Sequence, residues 1–151
     1  MMLGVISWLL VACFVLTVPT ITLAQQVDKK VTEGEVIVDS LSGAPGDPAR
    51  GRLIVLSRQS GLCILCHSGT FPEEPFQGNL APDLAVSAAR LSAEQLRARI
   101  VDASRFNPNT IMPPYFKKNH GSRVAPQFAD KTMLTAQEIE DVVAFLVSLK
   151  P

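Results

Sequence analysis

The sequence predicts an all-α fold, a small domain of packed helices, and three observations carry that reading. Two stretches hold complete helix-start signals. Ser92 with Gln95 forms a capping box inside the staple Leu91/Leu96, and Thr135 with Glu138 forms another inside Leu134/Ile139. The second start runs on as an apolar stripe, Ile139, Val142, Val143, Leu146 and Leu149, at helical spacing. Upstream lies Cys63-Ile64-Leu65-Cys66-His67, in which two thiols and an imidazole share about one helical turn.

The chain has 151 residues, enough for one domain with a real core. Residues 1–24 carry no charged side chain and are mostly apolar from Leu3 to Val18. Thr22 and Ala24 stand at the peptidase positions, so a signal peptide cleaved before Gln25 is expected. No Lys or Arg precedes the apolar run, which leaves an uncleaved anchor as an alternative. Leu10-Val11-Ala12-Cys13 also resembles a lipoprotein processing box, although Phe14 to Val18 stay apolar where a polar tether is usual. All three outcomes export the domain, and no other membrane association is expected. Fourteen basic residues balance fourteen acidic ones without a basic run, which argues against nucleic acid as a partner.

Residues 25–48 read as an N-terminal arm, either solvated with a short strand at Val36-Ile37-Val38 or packed on a partner subunit. The arm ends in Ser42-Gly43-Ala44-Pro45-Gly46-Asp47-Pro48, a loop by its Gly and Pro content. The main domain spans 49–151. It opens with a helix from Ala49 toward Ser57, with Asp47 as N-cap and Pro48 at its first position. Leu53, Ile54 and Leu56 are its expected buried residues, and Gly61 is expected to let backbone approach a flat ring.

The pattern Cys63-x-x-Cys66-His67 is that of covalent haem attachment. Side chains three apart on a helical turn face the same way, so both cysteines can form thioethers to the two vinyl groups on one porphyrin edge. His67 then faces the ring centre and ligates iron. A zinc site would need two further Cys or His ligands, and only Cys13 and His120 remain. A redox dithiol is usually met in a βαβ setting, which this region lacks.

From Ser68 to Asp83 the chain has no helical period. A haem-ligating histidine generally donates its other ring N–H to a carbonyl, and the loop at Pro82 is a candidate for that acceptor; an ordinary surface turn is the alternative. The run Asn107-Pro108-Asn109-Thr110-Ile111-Met112-Pro113-Pro114-Tyr115-Phe116 offers the second axial ligand. Met112 is a soft thioether donor, and the prolines after it hold its backbone out of the α region. Met133 and His120 are competing donors, and a core-filling Met112 is the plain alternative. Tyr115 and Phe116 are expected at the ring edge, and Arg123 either pairs with a propionate or is solvated.

The chain resembles the SoxX family, the c-type cytochrome subunits of SoxAX complexes. The resemblance rests on Gly46-Asp47-Pro48-Ala49-Arg50-Gly51-Arg52, on Gly61 to His67, on Asn107 to Tyr115 with its Met-Pro-Pro-Tyr loop, and on Thr132 to Leu146. It implies a cytochrome c-like domain holding one haem c, with Cys63 and Cys66 bonded to it and His67 and Met112 as axial ligands. It also implies a periplasmic location and a SoxA-like partner of one or two haems. There, in the resemblance, cysteine S-thiosulfotransferase activity mainly resides, joining thiosulfate to a cysteine of the SoxYZ carrier. Electrons then pass through this non-catalytic subunit to a soluble cytochrome c. Ala81 stands before Pro82 where related cytochromes often have Gly. A free-standing electron carrier, or a catalytic or sensory haem domain with Met112 displaced, are the alternative functions.

Overall fold

Asp47 opens the first helix by accepting hydrogen bonds from the backbone N–H groups of Ala49 and Arg50, and Pro48 supplies a preset φ at the first position. The computed structural model describes residues 36–118, 126 and 129–150. The candidate signal peptide, residues 25–35 of the arm, Cys13, His120 and Arg123 lie outside them. Among the described residues four α-helices follow one another: α1 (Pro48–Leu56), α2 (Leu84–Arg90), α3 (Ala93–Val101) and α4 (Ala136–Ser148). The 3₁₀ turns Cys63–Leu65 and Ala103–Arg105 lie between them, and no strand occurs among the described residues.

Both predicted capping boxes form. Ser92 and Thr135 each accept from the backbone of the third helical residue, whose own side chain reaches back. Helix α4 buries Ile139, Val142, Val143 and Leu146 as the stripe requires. Helix α2 has no counterpart in the sequence reading. Its signal is Asp83, which accepts from Ala85 N and Val86 N, an N-cap standing directly before an apolar run.

Helix α1 crosses α4 as the main helix pair of the fold. The approach is close enough that a Cβ on Gly51 would lie 1.9 Å from the carbonyl oxygen of Asp141. This contact turns Gly51 and Val55 inward, one helical turn apart, and corrects the expected buried face. Leu53 points to solvent with 69% exposure, while Ile54 and Leu56 are only half-buried. Gly61 also packs tightly on the first helix. A Cβ there would lie 2.0 Å from Ile54 O, so its small size serves the end of α1.

The arm residues Val36–Val38 form no strand, because the backbone partner of Ile37 belongs to a helix. Ile37 N donates to Glu94 O at 3.2 Å, and Ile37 O accepts from Arg97 Nη1 at 2.7 Å. The Ile37 side chain is in the core. Arg97 also makes a buried two-pronged pair with Glu140, at 2.8 and 2.9 Å, and Glu140 accepts from Leu41 N at 2.9 Å. Such a pair specifies register: removing one partner strands the other charge, at about 3–5 kcal/mol.

One residue along α4, Asp141 is buried and accepts from Asp47 N and from both Nε and Nη2 of Arg50. The Arg50 guanidinium holds the Asp141 carboxyl down at about 2, with the backbone N–H of Asp47 adding to the effect. A carboxylate whose folded pKa is depressed stabilises fully above its unfolded pKa, and this support is lost as pH falls through the folded value. The group therefore contributes on the order of 2 kcal/mol that disappears between about pH 4 and pH 2. Urea unfolding of the haem-loaded protein at stepped pH will show this loss, and Asp141→Asn will be less stable at neutral pH with a flatter acid limb.

Candidate haem site

The Cys63–Leu65 turn is held at both ends by its own backbone. Leu62 enters it with φ 58°, in the left-handed region, and its N–H donates to Ser57 O at 2.9 Å. Cys66 N and His67 N both donate to Cys63 O, at 3.1 and 2.9 Å, which closes the turn and gathers the two thiols and the imidazole on one side. The loop after His67 then folds back on the motif. Gly78 N donates to Ile64 O, Ala81 N to Cys66 O and Leu84 N to Ser68 O, each at 2.9–3.0 Å. This lacing brings Pro82 O to 2.6 Å from His67 Nδ1. Ala81 is accommodated without loss of that register. With Nδ1 donating to the carbonyl, Nε2 is the nitrogen left to act as a donor atom.

The facing wall is the loop between α3 and α4. Asn107 nucleates it: its side chain accepts from Asn109 N at 3.0 Å, and its carbonyl accepts from Thr110 N at 3.0 Å. Thr110 Oγ1 accepts from Met112 N at 3.2 Å, which fixes the backbone of Met112. Past the prolines, Tyr115 N donates to Ile100 O and Tyr115 O accepts from Leu134 N, so the loop is pinned to α3 and to the approach to α4.

A cavity of about 590 Å³ opens between these walls, lined by Cys63, Cys66 and His67 on one side and Met112 and Tyr115 on the other. Val55, Leu84, Ile100, Leu134, Val142 and Leu146 complete its apolar floor. A second lobe of about 340 Å³ shares His67, Pro82, Ile100 and Met112 with the first. The size suits a large planar ligand. The chemistry suits a porphyrin: two thiols at one edge, an imidazole with its Nδ1 occupied, and a thioether from the facing loop. Burial pushes the Cys63 thiol up to about 11, so it stays protonated in the apolar wall. Burial likewise raises the Tyr115 hydroxyl.

The cavity thus gathers Cys63, Cys66, His67, Pro82, Met112 and Tyr115. Met133 is half-buried against the core and is not among its lining residues, and neither is Phe116. Tyr115 does more than lie at a ring edge. Its hydroxyl donates to Gly61 O at 2.5 Å and ties the Met112 loop to the segment entering the cysteine motif. The sequence reading missed Asn107, Asn109 and Thr110 as lining residues, although their turn-forming composition beside Met112 was a usable signal.

A cytochrome c family model matches residues 49–150. The chain belongs to the cytochrome c family. Membership accounts for the paired thiols and the cavity, and a covalently bound haem c is the cofactor of this cytochrome. A chain of the crystal structure of SoxXA from P. pantotrophus is similar to it, with 36% sequence identity and a TM-score of 0.70, over 78% of this chain and 91% of that one. The likeness makes this a SoxX-like cytochrome. No curated protein matches the chain.

Removing the hydroxyl in Tyr115→Phe deprives the buried Gly61 carbonyl of its strongest donor. The haem-loaded variant will retain covalent pigment and be less stable by about 1–2 kcal/mol in urea unfolding.

Proposed function

We propose that this cytochrome is the electron-transfer subunit of a periplasmic SoxAX-type complex, exported by residues 1–24. In this reading Cys63 and Cys66 hold the haem through thioethers, and His67 Nε2 and Met112 Sδ are its axial ligands. The observation that carries the reading is that His67 and Met112 line both lobes of one cavity from separate loops, so that both axial positions can be filled by the chain. The bound haem supplies a one-electron iron couple with no open coordination position, which suits transfer rather than catalysis.

The chain's own residues keep the site from rearranging. Pro82 O fixes the His67 tautomer and raises its basicity as a ligand. The Asn107 turn and the prolines after Met112 hold the thioether. Leu65, Leu80 and Ile111 line the cavity while remaining exposed, and they form an apolar rim on which a partner's redox group can approach the cofactor edge. The donor is a SoxA-like subunit, where thiosulfate is joined oxidatively to a cysteine of a SoxYZ carrier. The acceptor is a soluble cytochrome c. The 36% identity to a chain of the SoxXA structure supports the choice of partner over a free-standing carrier.

Export of the tagged full-length chain together with a SoxA-like subunit tests the assignment: a stable co-purifying complex supports it, and a monomeric cytochrome that never retains the subunit contradicts it. In the same preparation Met112→Ala will keep its covalent haem, have a lower reduction potential and bind carbon monoxide readily when reduced. An unchanged potential would remove Met112 from the ligand set.

A further inference from the structure

Arg90 and Arg99 are the charged side chains that line the second lobe, and none of the residues lining the main lobe is an acid, a lysine or an arginine. The two lobes meet at His67 and Met112, but the cysteines line only the first. Porphyrin chemistry then orients the ring. Its two vinyl carbons lie on one edge and its two propionates on the opposite edge. With the vinyl edge held at Cys63 and Cys66, the propionates would point away from the thiols, toward the second lobe, which the cysteines do not line.

Two carboxylates entering an apolar wall need cationic or hydrogen-bonding partners, since an unpaired buried charge is costly. Arg99 is prepared for this. Its guanidinium stacks on the Phe106 ring at 4.4 Å from the centroid, and Nη1 donates to Gln95 O at 3.3 Å. Arg90 stands in the last turn of α2 and is exposed. Among the described residues neither arginine is in an ion pair, whereas Arg50, Arg52, Arg58 and Arg97 each are. Arginine's planar fork matches a carboxylate in two-pronged fashion.

We infer that Arg90 and Arg99 bind the two haem propionates and, as positioning residues, hold up the reduction potential of the cofactor. The inference rests on the reading of His67 and Met112 as axial ligands. Positive charge near iron favours the ferrous state, so losing either guanidinium lowers the potential.

The test uses the full exported cytochrome and its Arg90→Gln, Arg99→Gln, Arg90→Lys and Arg99→Lys variants. Arg52→Gln, outside the cavity, is the charge control. Reduction potentials and the propionate bending mode in resonance Raman spectra are read on each. Both glutamine variants are expected to show a lowered potential and an altered propionate mode, with the control unmoved. The lysine variants are expected to keep the potential while altering the mode, because they keep the charge and lose the fork. An unmoved propionate mode in the glutamine variants overturns the assignment, as does a control that shifts equally. Should a glutamine variant fail to mature, its lysine counterpart decides by the same mode. The absorption band of thioether-bound ferric haem is recorded in parallel. Its absence from the parent protein would defeat the axial reading, whereas the arginine assignment falls on the propionate mode.

Discussion

The fold depends on how closely α1 can approach α4. A residue with a side chain at position 51 would collide with the Asp141 carbonyl, so this crossing exists only because Gly51 has none. The consequences run in both directions along the two helices. At its end α1 delivers the chain through Gly61 into the cysteine turn, and Val55 enters the cavity floor. Along α4 the same crossing aims Val142 and Leu146 into that floor. Arg50 and Asp141 lock the contact from its polar flank, and their pairing with the Asp47 backbone links a helix cap to a helix crossing.

Around the cavity, position is secured mostly by backbone groups. The loop after the motif donates backbone N–H groups of residues 78–84 to carbonyls of residues 64–68, which is why a segment without regular structure can still present a carbonyl to one nitrogen of His67. The opposite loop is pinned at Asn107, at Thr110 and through Tyr115 to Gly61. Tyr115 therefore couples the two halves of the site through a single buried hydroxyl. An electron carrier benefits from this arrangement, because a site whose walls do not move keeps reorganisation small.

Much of this was legible in the chain itself because the signals were local. The capping residues Ser92 and Thr135, the Asp47-Pro48 start and the α4 stripe depend on neighbours within one or two turns, and they form as read. The cysteine motif and the Met112 loop were legible for the same reason. Helix α2 was overlooked because the loop before it, rich in Gly and Pro, hides the single cap Asp83. The inward face of α1 was misjudged because hydrophobicity favoured Leu53, while the deciding factor was a glycine contact with a helix some ninety positions away.

By itself the sequence determined three of the four described helices, the thiol pair with its imidazole, and a methionine set in a proline-braced loop, since each follows from residue chemistry over short spacings. Only the tertiary structure decided which groups share a space. Burial of Arg97 with Glu140 and the reach of Tyr115 to Gly61 come from elements distant in the chain, and the packing of two consecutive helices sets Arg90 and Arg99 beside one lobe of the cavity. A charged or aromatic residue looks the same in a sequence whether it faces water or an ion partner, and packing alone makes that choice.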